Sequence, residues 1–217
     1  MSVRAIVLFV LGSALATGAA SAAGTDALAP YRELARSAGA PRILALTRAE
    51  IARAFGAAAD SAAVADSSAL DWPGAPCGVY LSLAHGATTR ACVGSLTPLA
   101  ATLGRTLREL SRQVVASDPR HAPLRREELD SLRVVIAFAG TPVPVADPMQ
   151  IAPAHEGLLI ASPRGSVAFL PGEARTVSWA LREARRIGVL ANASEASYQR
   201  FAVVTLQEPA PAAATAP

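Results

Sequence analysis

Thr-Arg-Ala-Cys-Val-Gly at positions 89–94 sets a thiol, Cys92, two residues from a guanidinium, Arg90. In an extended strand, residues two apart share a face. A fixed positive charge beside a thiol favours the thiolate, the nucleophilic form. Three imidazoles are candidate bases: His85, His121 within Asp-Pro-Arg-His-Ala-Pro-Leu (118–124), and His155 within Ile-Ala-Pro-Ala-His-Glu-Gly (151–157). A binding role would use the same neighbourhood differently, with Arg90, Gly94, Asp118 and Arg120 forming a polar surface around Cys92 for a protein partner or small ligand. Each residue also has a plainer role. Cys92 fits a small apolar strand position, the histidines fit solvated loops, and Asp118, Glu127 and Glu128 fit helix caps.

Several elements must position these groups. Residues 78–84 and 89–96 alternate apolar and small or polar side chains around a His-Gly-Ala-Thr turn, which predicts a β-hairpin. On that hairpin Arg90, Cys92 and Gly94 share one face, while Ala91, Val93 and Ser95 share the other. With the turn centred between Gly86 and Ala87, Cys92 stands opposite Leu81 and Cys77 opposite Leu96. The two cysteines are then about 13 Å apart along the ribbon at roughly 3.3 Å per residue, so a disulfide would need another register.

Helices are predicted over 26–39, over 47–58 with Thr47 as N-cap and Glu50 completing a capping box, and over 98–117. The last opens on Pro98 and carries Leu99, Leu103, Leu107, Leu110 and Val114 at helical spacing. Arg105, Arg108 and Arg112 lie on its polar side, with Glu109 in reach of Arg105 or Arg112. A short helix holds Glu127, Glu128 and Leu129. Strand 132–140, an extended connection at 142–148, a hairpin of 157–162 and 165–171, an amphipathic helix at 175–187 and a strand at 198–207 complete the order. Residues 57–71 read as an Ala/Ser/Asp insertion or linker, and 208–217 as a disordered Pro/Ala tail. Trp72 and Trp179 read as core or rim packing. Hairpins joined by helices without regular βαβ alternation give an α+β fold on an antiparallel or mixed sheet, not a doubly wound one.

Composition narrows the function classes. With 217 residues, 52% hydrophobic and 17% charged, the chain can bury a full core. All 20 basic residues are arginine, against 17 acids, and a net +3 without interleaved aromatics gives no nucleic-acid footprint. No G-x-G-x-x-G, Walker loop, H-E-x-x-H or C-x-x-C occurs, so no cofactor and no metal are expected. Arg4, an apolar run from Ala5 to Ala16 and Ala20-Ser21-Ala22 form a signal-peptide pattern with cleavage after Ala22. The expected destination is periplasmic or extracellular, with no membrane span left after cleavage. The apolar run is shorter than the roughly 20 residues of a spanning helix, which disfavours an uncleaved anchor. A lipid anchor at the processing site would need a cysteine there, and the first is Cys77.

The order of segments over about 77–207 resembles the AMMECR family, called AmmeMemoRadiSam system protein A in bacteria and archaea. CGVYLSLAHGATTRACVGSL (77–96) is similar to the family's Gly-Val-Phe-Val-Thr-Leu, Gly and Leu-Arg-Gly-Cys-Ile-Gly-Ser. Residues 98–138 resemble its helix, Asp-Pro-Arg-Phe-Pro-Pro-Leu loop, Glu-Glu-Leu turn and following strand, and 151–171 its Pro-Gly-x-x-Gly-Leu-Ile and Ala-Thr-Phe-Leu-Pro hairpin. Ala91 stands where the family has Gly, Val93 replaces Ile, His121 replaces Phe and Gly172 stands where Gln is usual. The export signal is a further departure. The resemblance implies an α+β fold with a larger and a smaller lobe and a signature surface at Arg90, Cys92 and Gly94. It supplies no established reaction. Family members are associated with a Memo-type and a radical-SAM protein, which implies an accessory, partner-binding role. The alternatives are a Cys92-dependent enzyme with His121 or His85 as base, and an envelope structural protein.

Overall fold

The computed structural model describes residues 26–56, 78–86, 88–116 and 122–209. These form an α+β fold with two antiparallel four-stranded sheets, in the spatial orders β2 (Thr88–Ser95), β1 (Gly78–His85), β3 (Arg133–Ala139), β8 (Val203–Gln207) and β4 (Val143–Val145), β7 (Ser197–Phe201), β5 (Gly157–Ser162), β6 (Gly165–Phe169). The chain divides into a larger unit, described over residues 28–140 and 204–209, and a smaller unit at 141–203 inserted between them in sequence.

In the larger unit, helices α1 (Ala29–Arg36), α2 (Gly39–Ala54) and α3 (Leu103–Ala116) accompany strands β1 (Gly78–His85), β2 (Thr88–Ser95), β3 (Arg133–Ala139) and β8 (Val203–Gln207). Strand parity puts Val79, Leu81 and Leu83 of β1 and Val134, Ile136 and Phe138 of β3 on one face, where they join Tyr31, Ile43, Ile51, Leu107 and Leu110 in one core. Tyr31 stacks on Phe138 with ring centroids 4.0 Å apart. Burying each large side chain there stabilises the unit by roughly 1.5–3 kcal/mol. The opposite face of β1 is shielded too, since Tyr80, Ser82 and Ala84 are all buried.

The helix boundaries depart from the sequence expectations. One helix predicted at 26–39 is broken at Ser37, whose hydroxyl donates to the Leu34 carbonyl and accepts from the Gly39 amide. The next helix then starts at Gly39, eight residues before Thr47. Thr47 is no N-cap: it sits buried inside α2 with its hydroxyl bonded to the Ile43 carbonyl at 2.8 Å. Likewise α3 begins at Leu103 and not at Pro98, because Thr102 caps it, accepting from the Arg105 amide at 3.3 Å. Leu99 is left outside the stripe, 44% exposed. The strand expected at 198–207 is two, β7 (Ser197–Phe201) and β8, interrupted at Ala202 and belonging to different sheets.

The smaller unit holds β4 (Val143–Val145), β5 (Gly157–Ser162), β6 (Gly165–Phe169), helix α4 (Val177–Arg186) and β7. The segment expected as a mere extended connection pairs with β7 as β4. Helix α4 is capped by Thr176, which accepts from the Trp179 amide, and buries Val177, Ala180 and Ala184 against Leu158, Ile160 and Phe169. Residues 57–71, the cysteine at 77 and the tail beyond 209 lie outside the described residues.

Candidate binding site at the edge strand β2

β2 is the edge of the larger sheet, and its pairing with β1 is shifted once. Ala84 faces Thr89 and Leu83 faces Ala91, so Arg90 is the extra residue of a β-bulge. A bulge re-aims the side chain at its centre. Beyond it the register moves by one, and Cys92 stands opposite Ser82, correcting the expected pairing with Leu81.

The re-aimed Arg90 grips the segment that follows α3. Its Nε donates to Glu128 Oε2 at 2.7 Å and its Nη2 to Glu128 Oε1 at 3.1 Å, a two-pronged fork. The same guanidinium donates to the carbonyls of Ala122 at 3.0 Å and Pro123 at 3.4 Å. Glu128 also caps the short 3-10 helix Arg126–Ser131, accepting from the Arg125 amide at 3.0 Å. The Arg90 hydrogen bond, then the Arg125 amide, pull the Glu128 carboxyl down to about 2. The positive charge that sequence placed beside Cys92 is therefore matched by a carboxylate held firmly ionised.

A second arginine, which no motif singled out, grips the other end of this segment. Arg48 of α2 donates from Nε to Glu208 Oε1 at 2.7 Å and from Nη2 to Glu208 Oε2. It also donates to the carbonyls of Leu129 at 3.0 Å and Leu132 at 2.5 Å. Glu208 accepts the Val134 amide at 2.7 Å as well, fastening the end of β8 to β3. Residues 122–132 are thus pinned from both sides. No local spacing could have announced the second clamp, since its partners lie 160 positions apart.

The remaining candidates fall in different places. Cys92 is half-buried on the face that also carries Ser82. Gly94 lies beneath the Tyr80 ring: a Cβ there would come within 2.5 Å of Tyr80 Cδ1 and 2.6 Å of its Cα. That close approach is by itself a reason for glycine at this position. His85 is exposed, with Nδ1 3.2 Å from the Ser131 carbonyl. It lies three residues past Ser82, a rise of roughly 10 Å, and on the opposite parity, so it is not brought to Cys92. His155 is exposed in the smaller unit. Asp118, Arg120, His121 and Cys77 lie outside the described residues. On α3, Arg108 crosses to the mostly buried Glu50 of α2, while Arg112 takes Glu109 on the solvated face.

A cleft of about 330 Å³ lined by Ala52, Arg126, Glu127, Leu129 and Asp130 opens on the α2 side of the same segment. Among the described residues no group of three His, Cys, Asp or Glu side chains could hold a metal ion, and no helix is long and apolar enough to cross a membrane.

The AMMECR1 family model matches residues 44–207, taking in α2 as well as the segments that carry the sequence resemblance. The chain is also similar in fold to the crystal structure of the uncharacterized protein PH0010 from Pyrococcus horikoshii. The TM-score is 0.61 at 21% identity, over 80% of this chain and 93% of that one. No curated protein is detectably similar. With the family pattern running through the hairpin, the clamped segment and both sheets, this chain belongs to the AMMECR1 family.

Proposed function

We propose that this AMMECR1-family protein is an exported accessory protein that binds a partner or small ligand at the β2 edge, around Cys92 and the loop that Arg90 holds in place. The single observation behind this reading is how Arg90 is used. All three of its guanidinium nitrogens are spent on Glu128, Ala122 and Pro123, so the cation organises a recognition loop and does not ionise a nucleophile. A loop fixed before its ligand arrives loses less conformational entropy on binding. Export rests on the Arg4, apolar and Ala20-Ser21-Ala22 pattern of the leader.

A thermal-shift screen of small molecules against the full chain and its Arg90→Gln and Cys92→Ser variants tests the binding reading. It expects a ligand that stabilises the wild type and loses that effect in both variants. Turnover of a thioester or disulfide substrate that disappears in Cys92→Ser would replace it with the thiol-enzyme alternative. Intact mass of the protein recovered outside the cytoplasm tests export: loss of residues 1–22 is expected, and an uncut chain retained with the cells would contradict it.

A further inference from the structure

In the smaller unit, arginines without an ion-pair partner among the described residues coincide with exposed apolar surface. Each of its carboxylates accepts at least one hydrogen bond, two of them from an arginine. Asp147 accepts from the Met149 amide, Glu156 from Arg200 and the Ala152 amide, Glu173 from the Leu170 amide, Glu183 from Arg186 and Glu195 from Asn192. Arg164, Arg175, Arg182 and Arg185 are exposed and have no carboxylate partner among the described residues. Arg175 directly precedes the Thr176 cap of α4, and Arg182 and Arg185 follow on its outer face. Arg164 is placed at the far end of the helix, because Ser162 binds both the Val189 carbonyl and the Arg164 amide.

In the middle of this row stands Trp179, 37% exposed, with its ring edge-on to Phe169 at 5.8 Å. Trp179, Arg182 and Arg186 are spaced i, i+3 and i+7, one stripe opposite the buried Val177, Ala180 and Ala184. Met149, on the short 3-10 helix packed against α4, is 60% exposed. The outer side of α4 is a convex helix face, which suits a flat surface better than an extended chain needing a groove.

We infer that the outer face of α4 lies against an anionic lipid surface. Trp179 sits at headgroup depth, and Arg175, Arg182 and Arg185 meet lipid phosphates. Tryptophan favours that interface because its ring is apolar and its N–H wet. Arginine pairs with phosphate through its planar fork. The whole-chain charge hides the site, since the smaller unit has only one more arginine than acids.

The test is sedimentation of the full chain with phosphatidylcholine vesicles, with and without phosphatidylglycerol, together with collisional quenching of Trp179 in a Trp72→Phe background. Binding should require phosphatidylglycerol and fall at high salt as charges are screened. Arg175→Gln/Arg182→Gln/Arg185→Gln should weaken it by roughly tenfold to a hundredfold, and lysine at the same three positions should retain most of it. Phosphatidylglycerol vesicles should shield Trp179 from quencher. Equal binding to both vesicle types, unchanged in the glutamine triple variant, would assign attachment to the apolar N-terminal run and overturn the inference. So would an absence of vesicle binding alongside arginine-dependent binding to polyglutamate, which would make the partner an acidic protein.

Discussion

The two arginine clamps of the larger unit share one design and differ in how they are announced. Arg90 and Arg48 each place a fork on a glutamate and spend their other donors on carbonyls of the same segment, 122–132. Arg90 lies in a hairpin within the family match, beside a cysteine, and invites a catalytic reading. Arg48 lies mid-helix beside nothing reactive, yet does the same work. A guanidinium next to a thiol in sequence is therefore weak evidence for thiol activation, because a bulge can turn it toward backbone and carboxylate instead.

The clamps should not be equal in strength. Glu208, with 16% of its side chain exposed against 22% for Glu128, also holds the Val134 amide and ties down the last strand. Arg48→Ala strips that carboxylate of its counter-charge and removes a donor from the Leu129 and Leu132 carbonyls, and should cost about 3 kcal/mol in denaturant unfolding. If Arg90→Ala costs more, the ranking is wrong. Gly94→Ala should come next, at about 2 kcal/mol, because the added methyl meets the Tyr80 backbone as well as its ring. The matching Gly157→Ala in the smaller sheet, where the added methyl would come within 2.2 Å of the buried Phe201 ring, should destabilise by a similar amount in the same measurement.

Arg90→Ala should cost about 1.5 kcal/mol and raise amide exchange over 122–128, with lysine recovering little because it cannot form the fork. The smallest effect is in acid. Glu128's folded pKa, about 2, lies below its unfolded value, so its contribution is complete above about pH 5 and fades as pH falls toward 2. Unfolding across that range should be less pH-dependent in Glu128→Gln than in wild type. Equal slopes would mean that Glu128 is not the ionised partner of Arg90.

Much of the fold was legible because its signals are local. Alternation in 78–84 and 157–162 gave two hairpins, and the spacing of Val177, Ala180 and Ala184 gave α4. What failed was context. The Thr47 and Glu50 spacing mimics a helix start inside a longer helix, and Pro98 is a more conspicuous start signal than Thr102, the residue that caps α3. A continuous strand pattern at 198–207 carries no mark of the point where one sheet hands over to the other. At the candidate site, the residue types in the 90–94 motif were plain, but the bulge that redirects Arg90 is a backbone event with no sequence signature. The helix-cap reading of Glu128 was right as far as it went, and the long-range arginine it also serves could not be read locally.

The central claim is that Arg90's charge is committed to Glu128 and leaves Cys92 an unactivated thiol. The most direct test is the alkylation rate of Cys92 between pH 5 and 9, read site by site by mass spectrometry in the folded and the denatured chain. Folded Cys92 should react no faster than denatured Cys92 below pH 7, and Arg90→Gln should not slow it. Rapid alkylation of the folded thiol below pH 7, abolished by Arg90→Gln, would contradict the account and make Cys92 a nucleophile.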